Sequence, residues 1–115
     1  MTKRVLIVED EPLVAIDMEA VLRRAGFEIA ACVGSLDKAL DALNNADCDI
    51  GVLDANLHGE SVAPVALAFR QCGKPFLFVS GYGRVHLPTQ FLDAPLLPKP
   101  FEPSELIRAV RQISC

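Results

Sequence analysis

The chain has no tryptophan, one tyrosine, no run of basic residues and no CxxC pair. Without a basic run, and with a formal net charge of −4, it lacks the electrostatic footprint that grips a phosphate backbone, so nucleic acid is not the expected ligand. The four cysteines, Cys32, Cys48, Cys72 and Cys115, show no metal-ligand spacing with each other or with either histidine. They read as reduced thiols used as small hydrophobes. No apolar run approaches the ~20 residues of a membrane span. The opening "MTKRVLIVEDEP" meets acid after only four apolar residues, too few for the roughly 7–15 of a secretory signal's apolar stretch. A cytoplasmic protein working away from membranes is expected.

What the chain does have is apolar mass: 51% of its 115 residues, enough to bury a core in one domain. No repeat, linker or low-complexity segment divides it, so residues 1–115 are expected to be a single domain with no effector domain attached. "RVLIVED" is a buried strand at about residues 4–9. Pro12 then suits the first position of a helix and Gly26 the residue just past its end. Leu13, Ile16 and Ala20, with Val14, Met18, Val21 and Leu22, give that helix a broad apolar face. "FEIAACV" reads as a second strand. Ser35 is a natural N-cap for a second helix, with Leu36, Ala39, Leu40 and Leu43 as its apolar stripe.

"CDIGVLD" is a third strand, ending in Asp54. Ser61 is positioned to cap a third helix, with Val62, Val65, Ala66 and Phe69 facing inward and Pro64 in its tolerant first turn. "KPFLFVS" is a fourth strand and "PLLPK" a short fifth. Pro103 starts a last helix with Leu106, Val110 and Ile113 on one face. Segment 81–94 holds two glycines and Pro88, which predicts a short or irregular fourth helix. Near-continuous apolar strands alternating with helices predict an α/β fold, a doubly wound five-stranded parallel sheet in the order 2-1-3-4-5. Pro95 and Pro98 then fall in an edge strand, where missing N–H donors are tolerated.

In such a sheet, ligands bind beyond the carboxyl ends of the strands, where the strand order reverses. The first strand delivers Glu9 and Asp10 to that rim, the third Asp54, the fourth Ser80 and the fifth Lys99. Singly, each has an ordinary explanation as a turn former, helix-end charge or edge-strand charge. Together, four strand ends placing acids, a hydroxyl and an amine on one rim point to a site. Three clustered carboxylates call for a divalent cation, and an all-oxygen donor set suits Mg2+. A carboxylate beside such a metal can attack phosphorus, and the phosphoryl oxygens then need a metal, an amine and a hydroxyl as partners. Lys99, held between Pro98 and Pro100, is a flexible point charge on a fixed base, suited to reach that group.

"VLIVEDEP", "VLDANLHGE", "FVSGY" and "LPKPF" resemble, in order and spacing, the receiver domains of two-component response regulators, with a CheY-like fold. The resemblance covers the whole chain. It implies that Asp54 is the phosphoacceptor, with Asp10 a direct Mg2+ ligand, Glu9 an indirect one through water, and Asn56 a ligand through its backbone carbonyl. Ser80 and Lys99 would contact the phosphoryl group, and the Lys99–Pro100 bond would be cis. Leu96 stands where receivers usually carry a switch aromatic. "FVSGY" is similar instead to the atypical single-domain FAT GUY group, which makes Ser80 and Tyr82 the expected switch. The resemblance further implies a bacterial phosphorelay. The donor would be a sensor histidine kinase, with an HWE-type kinase as the narrower expectation, or a phosphotransfer protein. The output would pass through a downstream protein target, with a monomer favoured because the usual dimer face includes the doubtful fourth helix.

Two rival readings remain. A haloacid-dehalogenase-type phosphatase also uses an aspartate nucleophile after a strand, but it needs a second acid two residues on. Asn56 occupies that position and cannot do general acid–base work, so a signalling phosphoacceptor rather than an enzyme is expected. The other rival is a degenerate receiver that works as a phosphorylation-independent interaction module, for which Leu96 is the one supporting feature.

Overall fold

The computed structural model describes residues 2–81, 87 and 89–114. Strand β1 (Arg4–Val8) has no side chain exposed from Val5 to Val8. The next strands in chain order are β2 (Glu28–Val33) and β3 (Ile50–Asp54), then a two-residue pair, β4 (Asn56–Leu57) and β5 (Glu60–Ser61), and finally β6 (Phe76–Ser80) and β7 (Leu96–Pro98). The main sheet is parallel throughout, in the order β2-β1-β3-β6-β7, while β4 and β5 form a separate antiparallel hairpin. Setting the hairpin aside, this is the expected 2-1-3-4-5 order, with the proline-bearing strand at an edge.

The central strands are buried on both faces, so their side chains divide by twos between two cores. Leu6, Val8, Leu53 and Phe78 join the cluster covered by α2 (Leu36–Asn45) and α3 (Ala63–Gln71). Val5, Ile7, Val52, Leu77 and Val79 join the one covered by α1 (Pro12–Arg24) and α4 (Pro103–Ile113). On the first face, Phe76, Phe78 and Phe91 meet edge to face at 5.5–5.8 Å between ring centres. Gly51 is required beside them, since a Cβ there would lie 2.8 Å from the Phe69 ring.

Local expectations held in detail at several ends. Pro12 opens α1, Gly26 follows its end at φ +99°, and the Ser35 hydroxyl accepts from the Lys38 N–H at 3.3 Å. The Lys99–Pro100 peptide is cis. Ser61 falls one place short of the expected cap position. It closes the β4–β5 hairpin, Val62 is the N-cap of α3, and the Ser61 hydroxyl still accepts from the Ala63 N–H at 3.1 Å.

The inward face of α1 needs correction. Ala15, Met18, Val21 and Leu22 are buried, whereas Leu13 and Ile16 are 83% and 66% exposed. At ~3.6 residues per turn, Leu13 and Ile16 lie well round the helix from Met18, and only one of the two apolar arcs can meet the sheet. In segment 81–94 the described part forms a 3₁₀ turn over Thr89–Phe91. Phe91 anchors it with no exposure, under the Arg70 guanidinium at 4.3 Å from the ring centre. No helix among the described residues is long and apolar enough to cross a membrane.

Candidate functional site

At the carboxyl end of the sheet, β1 runs out into Glu9 and Asp10, β3 into Asp54, β6 into Ser80 and β7 into Lys99. Parallel pairing sets these ends side by side: Asp54 is in register with Val79, and Ser80 with Pro98. The Lys99 N–H donates to the Ser80 carbonyl at 2.9 Å, which fixes the base of the lysine side chain against β6. The result is a cavity of about 450 Å³ lined by Asp10, Asp54, Asn56, Ser80 and Lys99, among others. Glu9 is buried beside it against Lys99, 2% exposed.

Glu9, Asp10 and Asp54 can each place a carboxylate oxygen within 4.8 Å of the other two. Among the described residues one lysine faces them: Lys99 Nζ is 2.8 Å from Glu9 Oε1 and 3.7 Å from Asp54 Oδ2. The ammonium thus sits closer to Glu9 than to Asp54, a preference that strand-end placement alone does not reveal. The consequences for charge follow. Burial, with the hydrogen-bonded and charged Glu9 beside it, pushes the Asp54 carboxyl up to about 7. Burial also works against ionisation of Asp10, but hydrogen bonds, led by the one from the His58 N–H, outweigh it and hold Asp10 below the usual carboxylate range. Burial likewise disfavours the Lys99 charge, and Glu9 and Asp54 overcome it and raise the ammonium's pKa.

This donor set fits a hard divalent cation. It offers carboxylate oxygens at a spacing that one ion can bridge, and among the described residues its excess negative charge is offset by a single lysine. Asn56 closes the near side, its N–H donating to Asp54 Oδ1 at 3.3 Å. Tyr82 lies outside the described residues.

One neighbour went unnoticed in the sequence. The β4–β5 hairpin turns through His58 at φ +48° and Gly59 at φ +84°, the paired positive values of a tight two-residue hairpin turn. The turn hangs His58 over the site. Its N–H donates to Asp10 Oδ2 at 2.9 Å, and its Nδ1 lies 3.4 Å from the same oxygen. The local signal was present as "LHGE": a residue tolerant of positive φ, then glycine, between Leu57 and Glu60.

The response regulator receiver domain model matches residues 5–111. The chain belongs to that family. The receiver is similar to the transcriptional activator protein PfeR of Pseudomonas aeruginosa, with 33% identity over 90% of this chain and 35% of PfeR. It is also similar to SdrG of Sphingomonas melonis Fr1, whose solution structure superposes with a TM-score of 0.86 at 32% identity over 99% of this chain and 98% of that one. A structure of the BeF3-activated conformation of SdrG from Pseudomonas melonis Fr1 matches with a TM-score of 0.82, also at 32% identity, over 97% of this chain and 96% of that one. The chain spans between 35% and 55% of the length of the curated relatives it matches. Receiver domains are signalling modules of two-component systems that typically bind Mg2+ at an acidic site, and this chain has an acidic cluster of Glu9, Asp10 and Asp54 at the corresponding end of its sheet.

Proposed function

We propose that this receiver accepts a phosphoryl group on Asp54 from a phosphohistidine donor and signals through protein–protein contact. The observation that carries the reading is the setting of Asp54. It stands at the end of β3 at the cavity wall, with two further carboxylates within bridging distance and Lys99 Nζ 3.7 Å away. In the transfer, an Asp54 carboxylate oxygen bonds to phosphorus as the P–N bond of the donor histidine breaks, and the departing imidazole regains its nitrogen lone pair. Asp10, Asp54 and the Asn56 carbonyl would hold Mg2+, with Glu9 acting through water. The cation would supply charge neutralisation for the phosphoryl oxygens. Lys99 and Ser80 would take the remaining oxygens, which requires Lys99 to shift part of its contact from Glu9 toward the new group.

The activated form of SdrG supports the reading, since BeF3 is a phosphoryl mimic and that protein shares 32% identity with this one. We place the donor among sensor histidine kinases, with the HWE type as the narrower expectation, or among phosphotransfer proteins. The target is a protein, the compartment is the cytoplasm and the working state is a monomer. The amide at Asn56 gives no general acid or base beside Asp54, so turnover of a phosphomonoester is not expected. Leu96, half-buried against the phenylalanine cluster, is the feature that favours a phosphorylation-independent module, but all five rim groups are retained. Mass spectrometry after incubation with acetyl phosphate and Mg2+ decides: one added phosphoryl group on the wild type supports the proposal, and none overturns it.

A further inference from the structure

We infer that His58 is a positioning residue that orients Asp10 for the divalent cation through its backbone N–H, with no part taken by the imidazole. The inference rests on the reading of Glu9, Asp10 and Asp54 as a metal site and assigns that site a support from outside the cluster. Two hydrogen bonds carry it. The His58 N–H donates to Asp10 Oδ2 at 2.9 Å, across 48 residues of sequence. Two positions earlier, the Asn56 N–H donates to Asp54 Oδ1 at 3.3 Å. Between them Leu57 pairs with Glu60 across the hairpin. The residues on either side of Leu57 thus turn their N–H groups on two carboxylates of the cluster, one each.

A carboxylate with one oxygen held by a fixed donor meets an ion already oriented, and such supporting hydrogen bonds weigh heavily in metal affinity. The donor here is fixed by the hairpin. Pairing of Asn56 with Ser61 and Leu57 with Glu60 holds both legs, and Leu57 is buried. The turn puts His58 at φ +48° and Gly59 at φ +84°. Outside glycine, positive φ is taken mostly by asparagine, aspartate and histidine. The imidazole itself is 75% exposed. What the site uses is therefore the conformation at position 58 and the N–H it presents, and asparagine should serve there as well as histidine.

The test is calorimetric titration of the full chain with Mg2+ in three forms: wild type, His58→Asn, and a semisynthetic chain with an ester in place of the amide between residues 57 and 58. The ester removes the N–H and keeps the imidazole. His58→Asn should bind Mg2+ within about threefold of wild type, and the ester chain roughly tenfold or more weakly. A second measurement needs no change at position 58. In metal-free wild type the His58 amide proton should resonate downfield, and it should move upfield in Asp10→Ala. A loss in His58→Asn as large as that in the ester chain gives the role to the ring. Full Mg2+ affinity in the ester chain, or an amide proton indifferent to Asp10→Ala, takes the role from the N–H. Each of these results overturns the inference and leaves the acidic site standing. Failure of the wild type to bind Mg2+ overturns the metal-site reading itself, and this inference with it.

Discussion

Where β1 begins, Arg4 Nε lies 3.6 Å from Glu28 Oε2, both side chains open to water at 36% and 61% exposure. Where β1 ends, Glu9 is fully enclosed and 2.8 Å from Lys99, with Asp54 on the same ammonium and Asp10 within reach of both carboxylates. The first arrangement is balanced and wet, and a pair of this kind contributes roughly 0–1 kcal/mol. The second, among the described residues, sets three acids against one base behind a partial screen from solvent, and Asp54 responds by holding its proton up to about pH 7. One end of the sheet balances its charges, while the other keeps carboxylates in excess among the described residues. Strongly perturbed carboxylates gathered in a cleft mark sites rather than scaffolding.

The largest expected effect breaks the contrast at its centre. Asp54→Asn should abolish phosphoryl incorporation from acetyl phosphate in the presence of Mg2+, read as the absence of any mass increase. Full labelling of the variant would move the phosphoacceptor elsewhere.

Next in size, Lys99→Ala leaves Glu9 enclosed without its cation. In EDTA this should cost about 3 kcal/mol in urea unfolding, and added Mg2+ should restore part of it. A cost comparable to that of an exposed pair would show that the two edges are electrostatically alike after all.

The pH dependence sharpens the comparison further. The Asp54 carboxyl titrates at about 7 in the folded chain against an ordinary 3.8, so the folded state binds its proton more tightly than the unfolded state does. The stability this confers is complete below about pH 4 and is lost as pH rises through about 7. Asp10, whose value is shifted down, acts below this window and in the opposite direction. Metal-free wild type should therefore show a falling urea midpoint from about pH 5 to about pH 7.5, and that slope should vanish in Asp54→Asn. The smallest effect belongs to the opposite edge: Glu28→Gln should change stability by less than about 1 kcal/mol and leave phosphoryl uptake unchanged.

Most of the rim could be read from sequence because two local rules determine it. Apolar runs that stop abruptly in polar residues locate strand ends, and a parallel sheet with crossover helices brings those ends to one side. Glu9, Asp10, Asp54, Ser80 and Lys99 follow from that alone. The α1 face was harder, since Leu13 and Ile16 are as apolar as Met18 and Leu22, and periodicity ranks arcs of a helix without saying which one meets the sheet. The hairpin was missed because four residues in two-residue legs carry too little pattern to stand out as strands.

The sequence by itself determined the order of elements, the parallel sheet and the identity of the groups at its rim, because hydrophobic period and strand termination are properties of neighbouring residues. Only the tertiary structure decided who touches whom there. Lys99 reaches Glu9 before Asp54, Phe91 fills the core beneath Arg70, and His58 sits against Asp10 across 48 residues of chain. Such contacts depend on side-chain reach, strand register and loop path in three dimensions, which no window of local sequence encodes.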